Sequence, residues 1–373
     1  MRHVARVLYA AFALSLPAAA QPASPQPASP QPAPQYQVDP FWPKPLPNRW
    51  GIGQAAGVAT DARDHVWVIH RPGSMTEDER GAALNPPRSA CCIPAPSVLE
   101  FDPDGNLVRA WGGPGHHPAW PEQEHGIYVD HQDNVWIAGN AANDHVLLKF
   151  TRDGRFLMQI GRHRETGGSN DTERLGRPAD MAVDPATGEI YVADGYGNRR
   201  VIVFAADGAY RRHWGAYGER PNDDPLPAYR PGQAPARTFR NPVHCARLAR
   251  DGLVYVCDRA NDRIQVFRKD GGFVREFTLA PETLGSGSVW DLDFFPDATQ
   301  SVLLTADGGN NHVWMLARES GTVLGLFGRH GRNAGDFHWV HNIAVDSRGN
   351  VFTTEVDTGK RAQRFRLVTP LPR

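Results

Sequence analysis

The sequence predicts an all-β fold, a six-bladed β-propeller, from three observations. First, a unit of roughly 40 to 50 residues occurs six times along the chain, which is the repeat length of propeller blades. Second, each unit alternates Val, Ile, Phe and Tyr with polar residues, a pattern of strands and not of helices. Third, turn signals such as Asp–Gly and Asp–Asn separate the apolar runs. Because one blade cannot bury both faces until its neighbours stack on it, the six units should form one domain.

The clearest copy of the unit covers residues 179–215, which begin ADMAVD and continue with IYVAD and VIVF. The last copy offers only three strands, so we expect the segment YQVDPFWPK, from residue 36, to supply the outer strand and close the ring. Two inserts rich in Pro and Gly, at residues 72–96 and 216–240, are predicted to be loops over one face. The other copies lie at residues 57–70 continued by 97–113, 125–161, 244–277, 289–328 and 341–367.

The amino-terminal residues have the pattern of an export signal. Met1, Arg2 and Arg6 precede an apolar run at residues 7–16, which ends in small residues near Ala20. This run is about half of the roughly 20 residues that a membrane span needs. We therefore expect a signal peptide at residues 1–20, no membrane span, and a secreted or periplasmic protein. Residues 21–35, QPASPQPASPQPAPQ, are a proline-rich linker, which leaves residues 36–373 for the propeller.

Composition excludes some partners. The formal net charge is −1, from 40 basic and 41 acidic residues, which offers no field for a nucleic acid or an anionic membrane. We expect a monomer that acts on a small molecule or peptide.

The four cysteines form no dense disulfide framework. We interpret the adjacent pair, Cys91 and Cys92, as inert surface residues of a loop. A tight turn at Asp251 and Gly252 would place the side chains of Cys245 and Cys257 on opposite faces of one hairpin, which argues against a bond between them.

Three histidines occupy the same position in alternate blades. The innermost strand of a propeller blade lines the central channel, and we take its first residue in each blade to lie at one rim. Blades two, four and six are about 120° apart, so their imidazoles should converge on the axis. Three histidines with an open fourth position are typical of catalytic zinc. The six residues at this position are read as Ala56, His125, Ala179, His244, Val289 and His341.

The second strand of each blade returns to the same rim. It brings back Arg71, Tyr196 and Arg259. A tyrosine beside a divalent cation and guanidinium groups is a candidate general base, and arginines there can clamp a substrate carboxylate. The structural alternative for Arg259 is an ion pair with Asp258 or a neighbouring blade, and for Tyr196 it is packing at the rim.

These residues resemble the catalytic core of peptidyl-α-hydroxyglycine α-amidating lyase, an NHL-repeat β-propeller. The resemblance is densest in RPADMAVDPATGEIYVADGYGNRRVIVF, from residue 177, and in EHGIYVD, NPVHCARL and VHNIAVD. It implies a carbon–nitrogen lyase that cleaves an α-hydroxyglycine-type carbinolamide to an amide and glyoxylate. The family's zinc ligands fall on His125, His244 and His341, its catalytic tyrosine on Tyr196, and its active-site arginines on Arg71 and Arg259.

The chain also departs from this family. The acidic calcium ligand that follows the third zinc histidine is replaced by Asn342, and the cysteine beside the catalytic tyrosine is replaced by Gly197. We expect no fused monooxygenase domain, which leaves another α-hydroxylated amide or ureide as an alternative substrate. Two alternatives remain: a non-catalytic NHL propeller that binds a peptide, glycan or envelope partner, and a calcium lactonase, which would place Glu, Asn and Asp around the channel.

Overall fold

The structure is a computed structural model that describes residues 33–369. The expected signal peptide at residues 1–20, and residues 21–32 of the expected linker, lie outside this range. None of the helices in the described range has the length and apolar character needed to cross a membrane.

The described residues form six blades, each a four-stranded antiparallel sheet. The first strands of neighbouring blades contact one another around the whole ring, so they enclose a central channel. Blades 1 to 3 have the strands Gln54–Thr60, Val66–Arg71, Val98–Phe101 and Leu107–Trp111; Glu124–Val129, Val135–Gly139, Val146–Phe150 and Phe156–Gly161; and Asp180–Val183, Ile190–Asp194, Arg200–Phe204 and Tyr210–Trp214.

The remaining blades follow the same order, except that the last is completed from the amino-terminal side. The strand Tyr36–Asp39 pairs antiparallel with Arg361–Leu367 and supplies the outer strand of blade 6. Blades 4 to 6 have the strands Val243–Leu248, Leu253–Asp258, Arg263–Arg268 and Phe273–Thr278; Asp291–Phe294, Val302–Asp307, His312–Ala317 and Val323–Phe327; and Val340–Val345, Val351–Glu355, Arg361–Leu367 and Tyr36–Asp39.

Both long inserts begin or end at the rim where the histidines lie. The first follows Arg71 and contains two short 3-10 helices, Pro72–Ser74 and Gly81–Ala83, and the strand Ile93–Pro94, which pairs parallel with Trp50–Gly51. The second joins blades 3 and 4. It begins with the 3-10 helix Ala216–Gly218 and leads into the strand that carries His244. A fourth 3-10 helix, Arg259–Asn261, follows the second strand of blade 4.

Buried ion pairs recur where the second strand of a blade meets the third. Arg200 lies 2.9 Å from Asp194 in blade 3, and both side chains are fully buried. The equivalent distances are 2.7 Å for Arg263 and Asp258 and 2.6 Å for Arg361 and Glu355. A buried charge is tolerated when it is paired and hydrogen-bonded, so this repeat places its arginines against carboxylates.

The prediction for Cys245 and Cys257 is wrong, because they form a disulfide with a Cα–Cα distance of 4.8 Å. The turn contains three residues, 250–252, and not the expected two, since Ala249 N donates to Leu253 O. This shift makes Cys245 and Cys257 direct cross-strand partners, and directly opposed side chains share one face of a sheet. Cys91 and Cys92 are also bonded to each other.

Candidate metal centre and active site

The three histidines lie where the first strand of an even-numbered blade breaks register with the second. The irregularities fall between Glu124 and Ile127, between Val243 and Cys245, and between Val340 and Asn342. A β-bulge leaves one residue unpaired and re-aims its side chain. The bulge residue is a histidine in each of these blades, which turns the imidazole into the channel.

The structure brings His125, His244 and His341 together on the channel axis. Their ring centroids are 4.7 to 5.0 Å apart. One nitrogen from each lies within 4.8 Å of the others, and all three side chains are buried. The cluster that the sequence analysis predicted from blade phase is therefore present.

Each histidine is fixed through its Nδ1 by a main-chain carbonyl of the next blade. His125 Nδ1 lies 2.8 Å from Ala179 O, and His341 Nδ1 lies 2.7 Å from Ala56 O. His244 Nδ1 makes the equivalent bond to Trp290 O. A carbonyl can only accept, so each Nδ1 carries the proton and each Nε2 presents a lone pair, as metal-binding histidines do.

This bond corrects one assignment in the sequence analysis. The residue of blade 5 equivalent to Ala179 is Trp290 and not Val289, because Trp290 accepts from His244 as Ala179 accepts from His125. The Asp that follows both residues was the better guide to alignment. The correct alignment places an indole beside the site, with its ring centroid 5.6 Å from that of His341.

Burial keeps the imidazoles neutral. It lowers the pKa of His125 and His244 well below the usual value, and the charges of His341 and Arg71 add to this for His125, as that of Arg259 does for His244. Burial, reinforced by Arg71 and Arg259, lowers the pKa of His341 to about 3. Zinc binds neutral imidazole, so these three side chains fit a zinc ion.

Tyr196 places its hydroxyl between two of these lone pairs. The oxygen lies 2.9 Å from His125 Nε2 and 3.1 Å from His244 Nε2. A phenol has one proton, so it can satisfy only one of the two nitrogens. A cation at this place would satisfy both nitrogens and the tyrosine oxygen, which is a second indication that the residues fit a metal.

The two predicted arginines lie at the same centre but differ in how many of their hydrogen-bond donors already have partners. Arg259 donates from Nη1 to Tyr196 Oη over 3.4 Å and stacks on Trp290 at 4.3 Å. Its buried Nε has no hydrogen-bond partner among the described residues. Arg71 is already held, by Glu124 O at 2.7 Å, Gln54 Oε1 at 2.7 Å and Asn140 Oδ1 at 3.3 Å. Arg259 is therefore the guanidinium with the more available donors.

Sequence reasoning missed three residues of this site. Trp290 was hidden by the one-residue misalignment. Asn140 follows the second strand of blade 2 and contacts two arginines, and Arg177 lies 5.6 Å from the Tyr196 ring. Arg177 precedes Pro178 just before the first strand of blade 3, and Tyr196 N donates to its carbonyl, but nothing in the repeat pattern marks it.

The calcium site implied by the resemblance does not fit. Asn342 donates from Nδ2 to Asp291 Oδ2 at 2.8 Å and accepts from His341 Nδ1 at 2.6 Å, so its amide is engaged at both ends. The carboxylates nearby are engaged by a buried guanidinium, because Arg247 lies 2.6 Å from Asp180 and 3.1 Å from Asp291. The cation of this layer is a side chain of the protein itself.

Comparisons with known proteins agree with the fold and with the repeat. The NHL repeat family matches residues 175–204. A gluconolactonase from Xanthomonas campestris superimposes with a TM-score of 0.53 at 15% identity, over 89% of this chain and 90% of that chain, which bears on the fold alone.

Curated relatives carry names of amidating enzymes. The chain is 29% identical to peptidyl-glycine α-amidating monooxygenase B of Xenopus laevis, over 81% of this chain and 32% of that protein. It is 24% identical to peptidyl-α-hydroxyglycine α-amidating lyase 1 of Drosophila melanogaster, over 85% of this chain and 57% of that protein. The chain thus spans less than two thirds of either relative. The chain is a six-bladed β-propeller that contains an NHL repeat, and its homologues include a peptidyl-α-hydroxyglycine α-amidating lyase.

Proposed function

We propose that the protein is a zinc-dependent carbon–nitrogen lyase that cleaves an α-hydroxyglycine-type carbinolamide into an amide and glyoxylate. The observation that carries this proposal is the Tyr196 hydroxyl, held 2.9 and 3.1 Å from the inward-facing Nε2 atoms of His125 and His244. The name of the Drosophila relative supports the reaction class. Export from the cytoplasm, based on residues 1–20, is part of the same proposal.

His125, His244 and His341 would hold the zinc ion, which supplies a Lewis acid that polarises a bound hydroxyl group. The Nδ1 bonds to main-chain carbonyls keep the three rings in place without a change of tautomer. Arg259 binds the substrate carboxylate with its free donors, and Arg71 adds positive charge from a fixed position.

Tyr196 acts as the base. Its oxygen takes the proton from the substrate hydroxyl, and Arg259 Nη1, which donates to that oxygen over 3.4 Å, helps to orient it. The oxygen electron pair then forms the carbonyl of glyoxylate as the carbon–nitrogen bond breaks. The amide nitrogen takes up the proton, so the reaction consumes no water and needs no oxidant.

The test is release of glyoxylate from α-hydroxyhippurate by the zinc-loaded domain from residue 36. Tyr196→Phe should keep its zinc and lose about 10²- to 10⁴-fold in kcat, the usual contribution of a general base. Tyr210→Phe removes the hydroxyl of an exposed side chain whose hydrogen-bond partner within residues 33–369 is His213, and it should keep full activity.

Two results would contradict the proposal. One is equal activity of Tyr196→Phe and wild type. The other is a zinc-loaded wild type that releases no glyoxylate from α-hydroxyhippurate or from other α-hydroxylated amides, which would favour a binding propeller.

A further inference from the structure

Three arginines at the mouth of the channel differ from the paired arginines of the blades. Arg200, Arg263 and Arg361 each meet a carboxylate at 2.6 to 2.9 Å. In contrast, within residues 33–369 no carboxylate lies at ion-pair distance from Arg71, Arg177 or Arg259. Their hydrogen bonds go to neutral oxygens, as in the bonds of Arg177 to Asn140 O. Positive charge without a carboxylate partner, gathered around one tyrosine, indicates an anionic ligand.

Arg177 is held beside the tyrosine in a defined orientation. Its Nε and Nη2 donate to Asn140 O at 2.9 and 2.7 Å. Its own carbonyl accepts from Tyr196 N at 3.2 Å. Its Nη1 has no partner among the described residues, and its side chain is half-buried. The bonds on the Nε and Nη2 edge therefore orient the guanidinium, and the Nη1 edge remains available to bind a ligand.

Asn140 couples this arginine to a residue of the proposed active site. Its side-chain oxygen accepts from Arg71, and its main-chain oxygen accepts from Arg177. The guanidinium carbons of Arg177 and Arg259 lie 5.6 and 5.8 Å from the same Tyr196 ring. Two guanidinium groups with available donors thus flank the catalytic tyrosine.

The backbone of Arg177 also departs from ordinary geometry. Its φ of 61° lies in the left-handed region, which is uncommon for a residue other than glycine, asparagine or aspartate. Such a conformation costs energy and persists only where the surrounding structure imposes it. Arg177 keeps this conformation while its side chain donates to Asn140 O and its carbonyl accepts from Tyr196 N.

We propose that Arg177 forms a second anion subsite, which binds an additional carboxylate of the substrate. This rests on the proposed function, in which Arg259 binds the carboxylate next to the reacting carbon. The favoured substrate class is then an α-hydroxy acid derivative with a second acidic group on its amide side. Arg177 donates to that group from Nη1 and with the remaining Nη2 proton, without giving up its bonds to Asn140.

Direct binding tests this subsite without turnover. Isothermal titration calorimetry on the zinc-loaded protein would compare glycolate, with one carboxylate, and malate, with a second. We expect wild type to bind malate roughly tenfold or more tightly than glycolate. One additional hydrogen bond to a charged group changes a binding affinity by about this factor. Arg177→Gln should remove the preference and leave the affinity for glycolate unchanged.

The controls separate charge from position. Arg268→Gln removes one positive charge from an exposed arginine of blade 4 that pairs with Asp270 at 3.5 Å, and it should keep the malate preference. Should Arg177→Gln fail to fold, Arg177→Lys decides the matter. Lysine keeps the charge but cannot bond Asn140 and a carboxylate with one planar group, so the preference should fall.

Three outcomes would overturn the subsite: no malate preference in wild type, binding of neither probe, or a full preference in the folded Arg177 variants. Failure of the lyase proposal looks different. In that case wild type and Arg177→Gln would differ in malate binding, while neither N-succinyl-α-hydroxyglycine nor α-hydroxyhippurate released glyoxylate.

Discussion

Two layers of side chains in the same channel differ in charge: one consists of neutral imidazoles, and the other of carboxylates paired with a guanidinium. The upper layer holds three neutral imidazoles whose Nε2 lone pairs face the channel. The layer beneath it begins one residue further along the strands, where Asn342 follows His341. It holds Asp180 and Asp291 around the guanidinium of Arg247.

The difference shows what each layer requires. Neutral ligands cost little to bury when hydrogen-bonded, and they leave a place for an external ion. Carboxylates buried at the same depth need a compensating charge in the folded protein. Blade 4 provides that charge with Arg247, three residues after His244. The upper layer is therefore suited to exchangeable metal, and the lower layer to permanent structure.

The largest expected effect comes from breaking the lower layer. Arg247→Met leaves Asp180 and Asp291 buried without their cation, so the free energy of unfolding should fall by about 3–5 kcal/mol. Chemical denaturation measures this loss. Replacing both aspartates by asparagine in the same variant should recover most of it, because the unpaired charges are then gone.

The same variant tests whether Arg247 takes the role of a cation. Calcium should raise the melting temperature of Arg247→Met and leave that of wild type unchanged, since only the variant has uncompensated carboxylates. A wild type that calcium stabilises as strongly as the variant would contradict our comparison of the two layers.

A smaller effect is expected in the upper layer when zinc is added. A ligand that binds only the folded state stabilises it by about 2.7 kcal/mol at a free concentration of 100 times its Kd. Zinc should therefore raise the melting temperature of the metal-free wild type and have no effect on His341→Ala. Equal responses of the two proteins would show that zinc binds elsewhere.

The smallest effect concerns protons at the lower end of the channel. Asp293 lines a cavity of about 210 Å³ with Arg247 and Tyr128, and burial raises its pKa to about 6. Because the folded-state pKa is raised, the carboxyl contributes stability below about pH 4 that is lost as the pH rises through 6. Asp293→Asn should therefore melt higher than wild type at pH 8 and equally at pH 4. A difference that does not change with pH would contradict the assignment.

The sequence was sufficient for the six blades and the histidine cluster, because both follow from a repeat that can be aligned by eye. The histidines occupy the same position in every second copy of the repeat. Side chains at the same position of evenly spaced blades point to a common place on the propeller axis. Tyr196 and Arg259 followed from the return of the second strand to the same rim.

The errors arose where one residue of register mattered. Val289 was chosen in place of Trp290 because the copy in blade 5 was aligned one residue too early, and the cysteine pair was misjudged because its turn is one residue longer. Arg177, Asn140 and Arg247 carry no repeat signal, since their roles depend on contacts between blades that no single copy encodes.

The central claim is that the upper layer binds zinc, and metal content tests it most directly. Elemental mass spectrometry on purified protein would compare wild type, His244→Ala and, as a control, His213→Ala, whose half-buried ring bonds Tyr210 on the outer strand of blade 3. We predict about one zinc per chain in wild type and in His213→Ala, and none in His244→Ala. A wild type that stays without metal after incubation with zinc, or a His244→Ala variant that retains it, would contradict the account.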